Sequence, residues 1–337
     1  MPTKPILIDA LRINVGGGLM LLNYLVSSLL VKGVDFMLLK DFRCPELEKE
    51  KQIRNILVMK PDKKARKDFY QNHGEDYHSV FCFGNVPPPV RLRTKVYTYF
   101  HNVSFLKVPK DYSLKWRILS HLKRIYLKRY VSYSDIWIAQ TSYTASLLKN
   151  RLIKGRRPVK IIPFYKIPHK LKTPGVSPRT DYVYIGEYTN AKGQQYLLEA
   201  WKMLVSEGFR TTLHLTVTDP DFCHVIESAA SAGVPVVNHG HVDFDSVIAL
   251  YHKSKATVYP SLNESLGLGI VEACEAGCDV IGVDLPYMHS VCNPSVTFQS
   301  CNSRSIADAV KAYEKERKST SIKINDMIDD LINLLVS

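Results

Sequence analysis

The residues Pro260–Gly277, PSLNESLGLGIVEACEAG, decide the fold of this 337-residue chain. They follow an apolar run, Ala256–Tyr259, that is typical of a buried strand. A short loop then leads into a predicted helix over Leu268–Ala276. Two acids, Glu264 in the loop and Glu272 in the helix, stand eight positions apart. The stretch therefore predicts a strand, a loop and a helix, with a carboxylate on either side of the helix start.

The start of that helix is a candidate anion site. The backbone N–H groups near Leu266, Gly267 and Leu268 would have no partners, because the first turn of a helix leaves its donors unused. The helix dipole and the small glycine favour a phosphate at this place. An ordinary capped helix with surface glutamates is the alternative interpretation of the same pattern.

The stretch resembles the E-x7-E motif of retaining GT-B glycosyltransferases, particularly glycosyltransferase family 4, the glycosyl transferases group 1. The common form of that motif is PSxxEGFGLxxxEAxAxG. The matching positions are Pro260, Ser261, Glu264, Gly267, Leu268, Glu272, Ala273 and Gly277. The departing positions are Ser265, Leu266, Gly269 and Glu275. Ser265 stands where the family usually has glycine, so it adds a side chain beside the predicted phosphate or sugar and leaves the sugar's identity open.

Strands and helices alternate on both sides of the motif. In the second half, predicted strands at Tyr182–Ile185, Thr212–Val217, Val234–Val237 and Val280–Val283 are separated by predicted helices. The first half opens on a buried strand, Pro5–Asp9, followed by the glycines Gly16, Gly17 and Gly18, an apolar helical run to Leu30 and a strand over Val34–Leu39. Each half therefore predicts a parallel sheet with flanking helices.

The predicted fold class is α/β, of the GT-B type, with two Rossmann-like, doubly wound parallel-sheet domains facing across a cleft. We place the first domain at 1–165, a linker rich in Lys and Pro at 166–179, the second domain at 180–320 and a C-terminal helix at 321–337. Parallel sheets carry ligands at the carboxyl ends of their strands, which favours an enzyme with one substrate per domain. The resemblance implies that the first domain binds the acceptor and the second binds a nucleotide-sugar donor.

The resemblance also implies the residues of a donor site. Glu272 would accept hydrogen bonds from the ribose hydroxyls, and Glu264 would act as a catalytic residue facing the transferred sugar. Lys192 would hold the diphosphate, although Glu187 replaces the arginine that accompanies it in the family. The other donor-binding candidates are Gly16, Gly17, Gly18, His241, Val242, Ser265, Leu266, Gly267 and Leu268. No cofactor is expected; the co-substrate would be a UDP- or GDP-linked sugar.

His101 is the second candidate catalytic residue. It comes directly after a predicted strand, Val96–Phe100, at the ligand-facing end of such a strand. Retaining GT-B enzymes, which the chain resembles, often have a histidine near the sugar. A structural histidine held by hydrogen bonds is the alternative.

Two Asp-x-Asp triplets, at 219–221 and 243–245, could in principle hold a metal ion. Both precede predicted helices, where aspartate commonly serves as the N-cap. We therefore assign no metal ligand and expect a metal-independent reaction.

Positive charge is concentrated in the first half of the chain. Residues 1–170 contain 32 Lys and Arg against 12 Asp and Glu (32 − 12 = +20), whereas residues 171–337 contain 13 against 20 (13 − 20 = −7). The segment Lys107–Tyr130 reads as a basic amphipathic helix. Its apolar residues Leu114, Ile118, Leu122 and Ile125 share one face, and Trp116 lies on the outer side.

Such a helix can dock on an anionic membrane surface, and we predict this partner for Lys107–Tyr130. A packed helix with a solvated basic side is the alternative. No nucleic-acid-binding motif occurs, so no nucleic acid partner is expected. The partners predicted besides the membrane are the nucleotide sugar and a glycan or glycolipid acceptor.

The seven cysteines form no disulfide framework, which favours a reducing compartment. No apolar run approaches the roughly 20 residues that a membrane-spanning helix needs. We predict a cytoplasmic protein on the inner face of the cell membrane, a glycosyltransferase of surface polysaccharide or lipopolysaccharide assembly. The alternatives are a GT-B scaffold that has lost catalysis and binds a partner, and a basic nucleic-acid-binding protein.

Overall fold

The structure, a computed structural model, describes residues 4–108, 114–167 and 179–337. The chain divides into two compact units. The first unit consists of Met1–Lys166 together with Asn325–Ser337, and the second of Ile167–Ile324. Most of the predicted linker, residues 168–178, lies outside the described residues.

The first unit is built on a seven-stranded parallel sheet. Its strands are β1 (Ile6–Ala10), β2 (Phe36–Asp41), β3 (Asn55–Met59), β4 (Ser79–Cys82), β5 (Lys95–Phe100), β6 (Ile136–Ala139) and β7 (Val159–Ile161). They lie in the order β3-β2-β1-β4-β5-β6-β7, and every pairing is parallel. Every residue of the central strand β1 is buried, as its almost wholly apolar sequence ILIDA requires.

Within the described residues, four α-helices connect these strands, and a fifth comes from the end of the chain. They are α1 (Gly16–Val31), α2 (Lys63–His73), α3 (Leu114–Tyr130), α4 (Ser142–Leu148) and α11 (Ile328–Val336). The sequence interpretation missed β3 and α2. Helix α2 gives little apolar periodicity, because its buried face is limited to Arg66, Phe69 and Tyr70.

The C-terminal helix α11 packs on the first unit. The Ser79 hydroxyl on β4 donates to the Leu335 carbonyl at 2.6 Å, and the Tyr24 hydroxyl on α1 donates to Asp326 Oδ2 at 2.5 Å. This helix begins at Ile328, later than predicted, since Ser321–Ile322 instead forms a short strand in the second unit. The chain therefore returns to its starting unit after completing the other one.

The second unit repeats the architecture with six parallel strands. These are β8 (Asp181–Tyr184), β9 (Leu213–Leu215), β10 (Val236–Asn238), β11 (Ser254–Tyr259), β12 (Asp279–Val283) and β14 (Val296–Phe298). Their order is β10-β9-β8-β11-β12-β14. In the order of their appearance along the chain this is 3-2-1-4-5-6, the arrangement of dinucleotide-binding Rossmann folds.

The helices of the second unit are α5 (Gln194–Ser206), α6 (Pro220–Ser231), α7 (Phe244–Lys253), α8 (Leu268–Glu275), α9 (Pro286–Val291) and α10 (Ser303–Lys315). A two-stranded antiparallel ladder of β13 (Cys292–Asn293) and β15 (Ser321–Ile322) completes it. One cluster of buried side chains, including Val183, Tyr251 and Ala273, packs α7 and α8 against β8. The sheet thereby fixes the start of α8, where the motif lies.

The apolar face of α3 is exposed, contrary to the packed-helix alternative. Leu114, Ile118, Leu122 and Ile125 are each 51–70% exposed. The residues of α3 that are buried, Ser120, Leu127 and Tyr130, lie on another side of the helix. Within the described residues, no helix is both long enough and apolar enough to cross a bilayer.

Candidate functional site

Two tyrosines mark the centre of the site in the second unit. Tyr184 ends β8 and Tyr259 ends β11, and these adjacent strands form the point at which the strand order reverses. Ligands of such sheets bind outside the carboxyl ends of the strands at this point. The two rings pack edge to face, 5.3 Å apart, and both are buried.

Glu264 lies in the loop after β11 and is held through one oxygen. Its Oε1 accepts from Lys192 Nζ at 2.5 Å, from the Ser261 hydroxyl at 2.7 Å and from the Tyr259 hydroxyl at 3.3 Å. No described residue donates to Oε2. The carboxylate is therefore fixed in place while its second oxygen is left for another hydrogen-bond donor.

Lys192 reaches Glu264 from the loop after β8. It ends a 3₁₀ turn over Asn190–Lys192, and the Leu262 N–H donates to the Ala191 carbonyl at 2.7 Å, which joins the two loops. Gly193 follows with φ +75°, and a Cβ on it would lie 2.8 Å from the Pro260 carbonyl oxygen. The cation and the carboxylate thus come from two loops that are packed backbone to backbone.

We expect Gly193→Ala to disturb this junction. The added Cβ meets a backbone oxygen and the backbone is in the left-handed region, so the free energy of unfolding should fall by about 2–3 kcal/mol. Gly208→Ala is the control, because Gly208 has φ +90° but nothing within 4 Å of a Cβ. It should lose only about 1 kcal/mol from backbone strain. Urea unfolding followed by fluorescence measures both, and equal losses would show that the Pro260 contact is unimportant.

The start of α8 presents free backbone donors. Gly267 precedes the helix with φ +73° and gives it no side-chain cap. Among the described residues, nothing accepts a hydrogen bond from the N–H groups of Leu268 or Gly269. Lys192 comes from a loop 72 residues earlier in the chain and is ion-paired with Glu264. Together with the start of α8 it supplies positive charge at which an anion can bind.

Glu272 is a buried carboxyl to which no residue in the described part of the chain donates a hydrogen bond. It is 7% exposed, and burial raises its pKa to about 7. Tyr251, packed nearby, has its pKa raised by burial and next by the Glu272 charge, and its hydroxyl finds no partner among the described residues. A ligand that donated hydroxyl groups to Glu272 would remove the cost of burying it unpaired.

The contacts show what Glu187 and the two Asp-x-Asp triplets do, and the N-cap interpretation of the triplets is confirmed. Glu187, at the position of the family's arginine, accepts from the Thr218 N–H at 3.0 Å and from the Thr218 hydroxyl at 2.7 Å, and so orders the loop after β9. Asp219 and Asp243 cap α6 and α7, accepting from Phe222 N and Ser246 N respectively. Over the described ranges, no cluster of three or more His, Cys, Asp or Glu side chains could hold a metal ion.

The remaining donor-binding candidates of the second unit, in the motif and just before α7, lie around the same end of the sheet. Leu266 is buried, and Ser265 is half-buried in the loop that carries Glu264. His241 is exposed just before α7, whereas Val242 packs against the cluster beneath α7 and α8. Sequence reasoning missed Tyr184, Tyr259 and the hydroxyl role of Ser261, although the position of both tyrosines at strand ends was a usable signal.

The first unit brings His101 together with the glycine loop. A Cβ on Gly18 would lie 3.4 Å from His101 Cε1, and Gly16 and Gly17 are exposed at the start of α1. The His101 ring stacks on Phe83 at 5.4 Å, and burial lowers its pKa to about 4. Its Nε2 is enclosed and has no partner among the described residues. His101 is therefore a neutral imidazole near pH 7.

Residues 171–327 match the family model described as glycosyl transferases group 1. This match spans nearly all of the second unit. The matched residues include the E-x7-E motif and Lys192, so the family predicted from the sequence is confirmed. No curated protein matches this chain in sequence.

Solved glycosyltransferase structures share the fold of the chain. Sucrose-phosphate synthase from Thermosynechococcus elongatus is 16% identical, with a TM-score of 0.71 over 93% of this chain and 90% of that one. Anabaena Alr3699/HepE, in complex with UDP and glucose, is 13% identical, with a TM-score of 0.68 over 93% and 90%. The lipopolysaccharide outer core galactosyltransferase WaaB is 14% identical, with a TM-score of 0.63 over 94% and 92%. The predicted GT-B class, with two Rossmann-like parallel-sheet domains, is confirmed.

Proposed function

We propose that this protein transfers a sugar from a nucleotide-sugar donor to a glycan or glycolipid acceptor, with retention of the anomeric configuration. One observation carries the proposal. At a single strand-order reversal, the second unit gathers a cation, free helix N–H groups, a fixed carboxylate with an open oxygen and a buried unpaired carboxyl. A nucleoside diphosphate sugar supplies a partner for each of these groups.

Each group has a proposed role in that complex. Lys192 and the N–H groups of Leu268 and Gly269 hold the diphosphate and stabilise the charge that grows on it as the sugar departs. Glu272 accepts the ribose hydroxyls, and Glu264 Oε2 accepts a hydroxyl of the transferred sugar. The other proposed donor-site residues are those of the glycine loop, the loop before α7 and the loop that carries Glu264.

The proposed reaction proceeds on one face of the sugar. The bond from the anomeric carbon to the diphosphate oxygen breaks, the acceptor hydroxyl oxygen bonds to that carbon, and the acceptor proton passes to the departing phosphate. The neutral His101 imidazole is proposed to lie beside the transferred sugar. Positive charge from Lys192 and the start of α8 supports a reaction without a metal ion.

The similar structures support a UDP-linked donor and a role in the assembly of surface glycans. HepE binds UDP and UDP-glucose, which favours a UDP-linked donor, and a GDP-linked sugar is the next candidate. WaaB is a lipopolysaccharide galactosyltransferase, which supports a role in surface polysaccharide or lipopolysaccharide assembly. We propose that the protein acts on the cytoplasmic side of the membrane.

The direct test is to incubate the protein with UDP-glucose, UDP-galactose or GDP-mannose and to measure release of the nucleoside diphosphate. EDTA should leave the rate unchanged, and the product's anomeric proton should show the donor's configuration by NMR. Binding of a nucleotide sugar without release or transfer would instead support a binding scaffold, which the replacement of arginine by Glu187 favours. Inversion in the product would contradict the proposed retaining reaction.

We further propose that α3 docks the enzyme on an anionic membrane surface. The stripe formed by Leu114, Ile118, Leu122 and Ile125 is exposed. Basic side chains flank it, namely Lys115, Arg117, Arg124, Lys128 and Arg129. An exposed apolar stripe between rows of cations is suited to the boundary between lipid head groups and acyl chains.

Vesicle sedimentation tests this docking. Wild-type protein should bind vesicles that contain phosphatidylserine more tightly than neutral phosphatidylcholine vesicles, and salt should weaken the binding. Ile118→Asp with Leu122→Asp should weaken it by at least about tenfold, because two apolar side chains leave the bilayer and two charges oppose it. Val58→Asp is the control, as Val58 is 55% exposed on the edge strand β3. A double variant that binds like the control would exclude α3 as the docking helix.

A further inference from the structure

The first unit has its own strand-order reversal, between β1 and β4, and a small cavity lies there. It is lined at the carboxyl ends of these strands by Leu11, Arg12 and Gly84, and from the β3–α2 connection by Pro61 and Arg66. This is the place at which a doubly wound sheet binds a ligand. None of the residues predicted from the glycosyltransferase motif lines it.

The acids around this cavity are already paired. Asp9 accepts from Arg66 Nε at 2.9 Å and from the Tyr70 hydroxyl at 2.7 Å. Asp41 accepts from the Arg43 guanidinium at 2.8 Å and from the Arg12 N–H at 2.8 Å. Asp62 caps α2. Asp9 and Asp41 are therefore each paired with an arginine, and Asp62 is used as a helix cap.

Three cations remain exposed at the same edge, Arg12 after β1, Lys60 after β3 and Lys63 at the start of α2. None of them is paired with an acid among the residues described. Arg12 holds a left-handed backbone, φ +76°, which its N–H bond to the buried Asp41 maintains. A non-glycine residue is strained in this conformation, and such strain tends to persist where a side chain must be aimed.

Tyr126 of α3 lies beside two of these cations, Arg12 and Lys63. Lys63 Nζ lies 5.4 Å from the centre of its ring. Burial raises the pKa of Tyr126, while the charges of Arg12 and Arg66 act in the opposite direction. Arg12 lines the cavity together with Pro61, and Lys63 follows Pro61 at the start of α2, so these two cations lie beside the cavity on the side of Tyr126. Helix α3 also carries the exposed apolar stripe.

We propose that Arg12 and Lys63 bind a phosphate group of the acceptor. A planar guanidinium and an ammonium provide several donors and more than one positive charge, which suits a phosphate better than a single carboxylate. The proposal rests on the proposed function, because it names the acceptor of that reaction. The phosphate could belong to a membrane lipid or to a soluble phosphorylated glycan.

The test titrates inorganic phosphate into the full-length protein by calorimetry, with UDP at saturation so that the donor site is filled. Arg12→Gln with Lys63→Gln should weaken phosphate binding by about tenfold or more. Lys149→Gln with Lys154→Gln is the matched control, because these lysines line a shallow basic pocket at the amino end of β7. Equal weakening by both pairs, or no binding to the wild type, would overturn the proposal.

A second arm separates the two sources of phosphate. Vesicles with phosphatidic acid are compared with vesicles of equal charge that contain phosphatidylserine. A preference for phosphatidic acid that Arg12→Gln with Lys63→Gln removes supports a lipid phosphate, whereas phosphate binding in solution without that preference supports a soluble one. Nucleotide release from the donor in the absence of acceptor is unaffected by these substitutions if the proposal holds, so failure of the donor site is detected separately.

Discussion

Glu272→Gln is expected to stabilise the unliganded protein above pH 7 and to weaken nucleotide-sugar binding by about 100-fold. The folded pKa of Glu272 is about 7, above the 4.5 of an exposed glutamate, because burial disfavours its charge. The folded state thus holds a proton that the unfolded state has lost. Stability falls as the pH rises from about 4.5 to 7 and stays low above that range.

The size of this effect follows from the shift. At about 1.4 kcal/mol per pKa unit, the ionised carboxyl costs the folded state about 3 kcal/mol at pH 8, and a neutral amide of the same shape avoids most of it. The unfolding midpoint of the variant should therefore rise at pH 8 and change little at pH 5. The amide loses acceptor capacity for two ribose hydroxyls, so affinity should fall by about 100-fold.

Thermal unfolding at pH 5 and pH 8 measures the predicted change in stability. Calorimetric titration with UDP-glucose measures the predicted change in affinity. Glu227→Gln is the control, as that side chain is 73% exposed on α6. Loss of binding with no gain of stability at pH 8 would mean that Glu272 is paired in the unliganded protein. A gain of stability with unchanged binding would mean that Glu272 does not contact the donor.

Glu264→Gln should lower kcat by about 100- to 1,000-fold with a smaller change in KM for the donor. The carboxylate receives Lys192, Ser261 and Tyr259 on Oε1, so its position is fixed before substrate arrives. An amide removes the charge that balances Lys192 and turns one oxygen into a donor. Loss of one such preorganised group typically costs about 3–4 kcal/mol in the transition state.

Ser261→Ala is the comparison for Glu264→Gln. It removes one of the three donors but keeps the carboxylate, so kcat should fall by about tenfold or less. Steady-state kinetics with the donor varied separates the two effects. If both variants lose activity only through a lower unfolding temperature, Glu264 acts as a structural link between the loops and not as a catalytic residue.

The fold was predictable because local patterns and global architecture agree in most of the chain. The apolar strands β1, β5 and β8 and the amphipathic helix α5 carry unambiguous periodicity. The missed strand β3 lies at the sheet edge and leaves its side chains partly exposed. The missed helix α2 buries Arg66, and that burial depends on Asp9, which lies 57 residues away and gives no local signal.

Helix α3 shows the limit of periodicity. The apolar positions of Leu114, Ile118, Leu122 and Ile125 correctly predicted one face, but periodicity cannot say whether a face meets the core or the solvent. Only the packing shows that Leu127 and Tyr130 are the residues that turn inward.

The sequence identified most residues of the site but not the contacts between them. The motif located Glu264, Glu272 and the start of α8, and resemblance supplied Lys192. The 2.5 Å ion pair between Lys192 and Glu264 joins loops 72 residues apart, so no local pattern could reveal it. Nor could the sequence show that Glu187 bonds to Thr218, since that contact depends on the approach of β8 to β9.

Hydrogen exchange with and without UDP or GDP tests most directly whether the second unit binds the donor's diphosphate at the start of α8. Binding should slow amide exchange at Leu268 and Gly269 and in the loop that carries Lys192, and Lys192→Ala should remove that protection. Protection confined to other segments, or unchanged in the variant, would contradict the assignment.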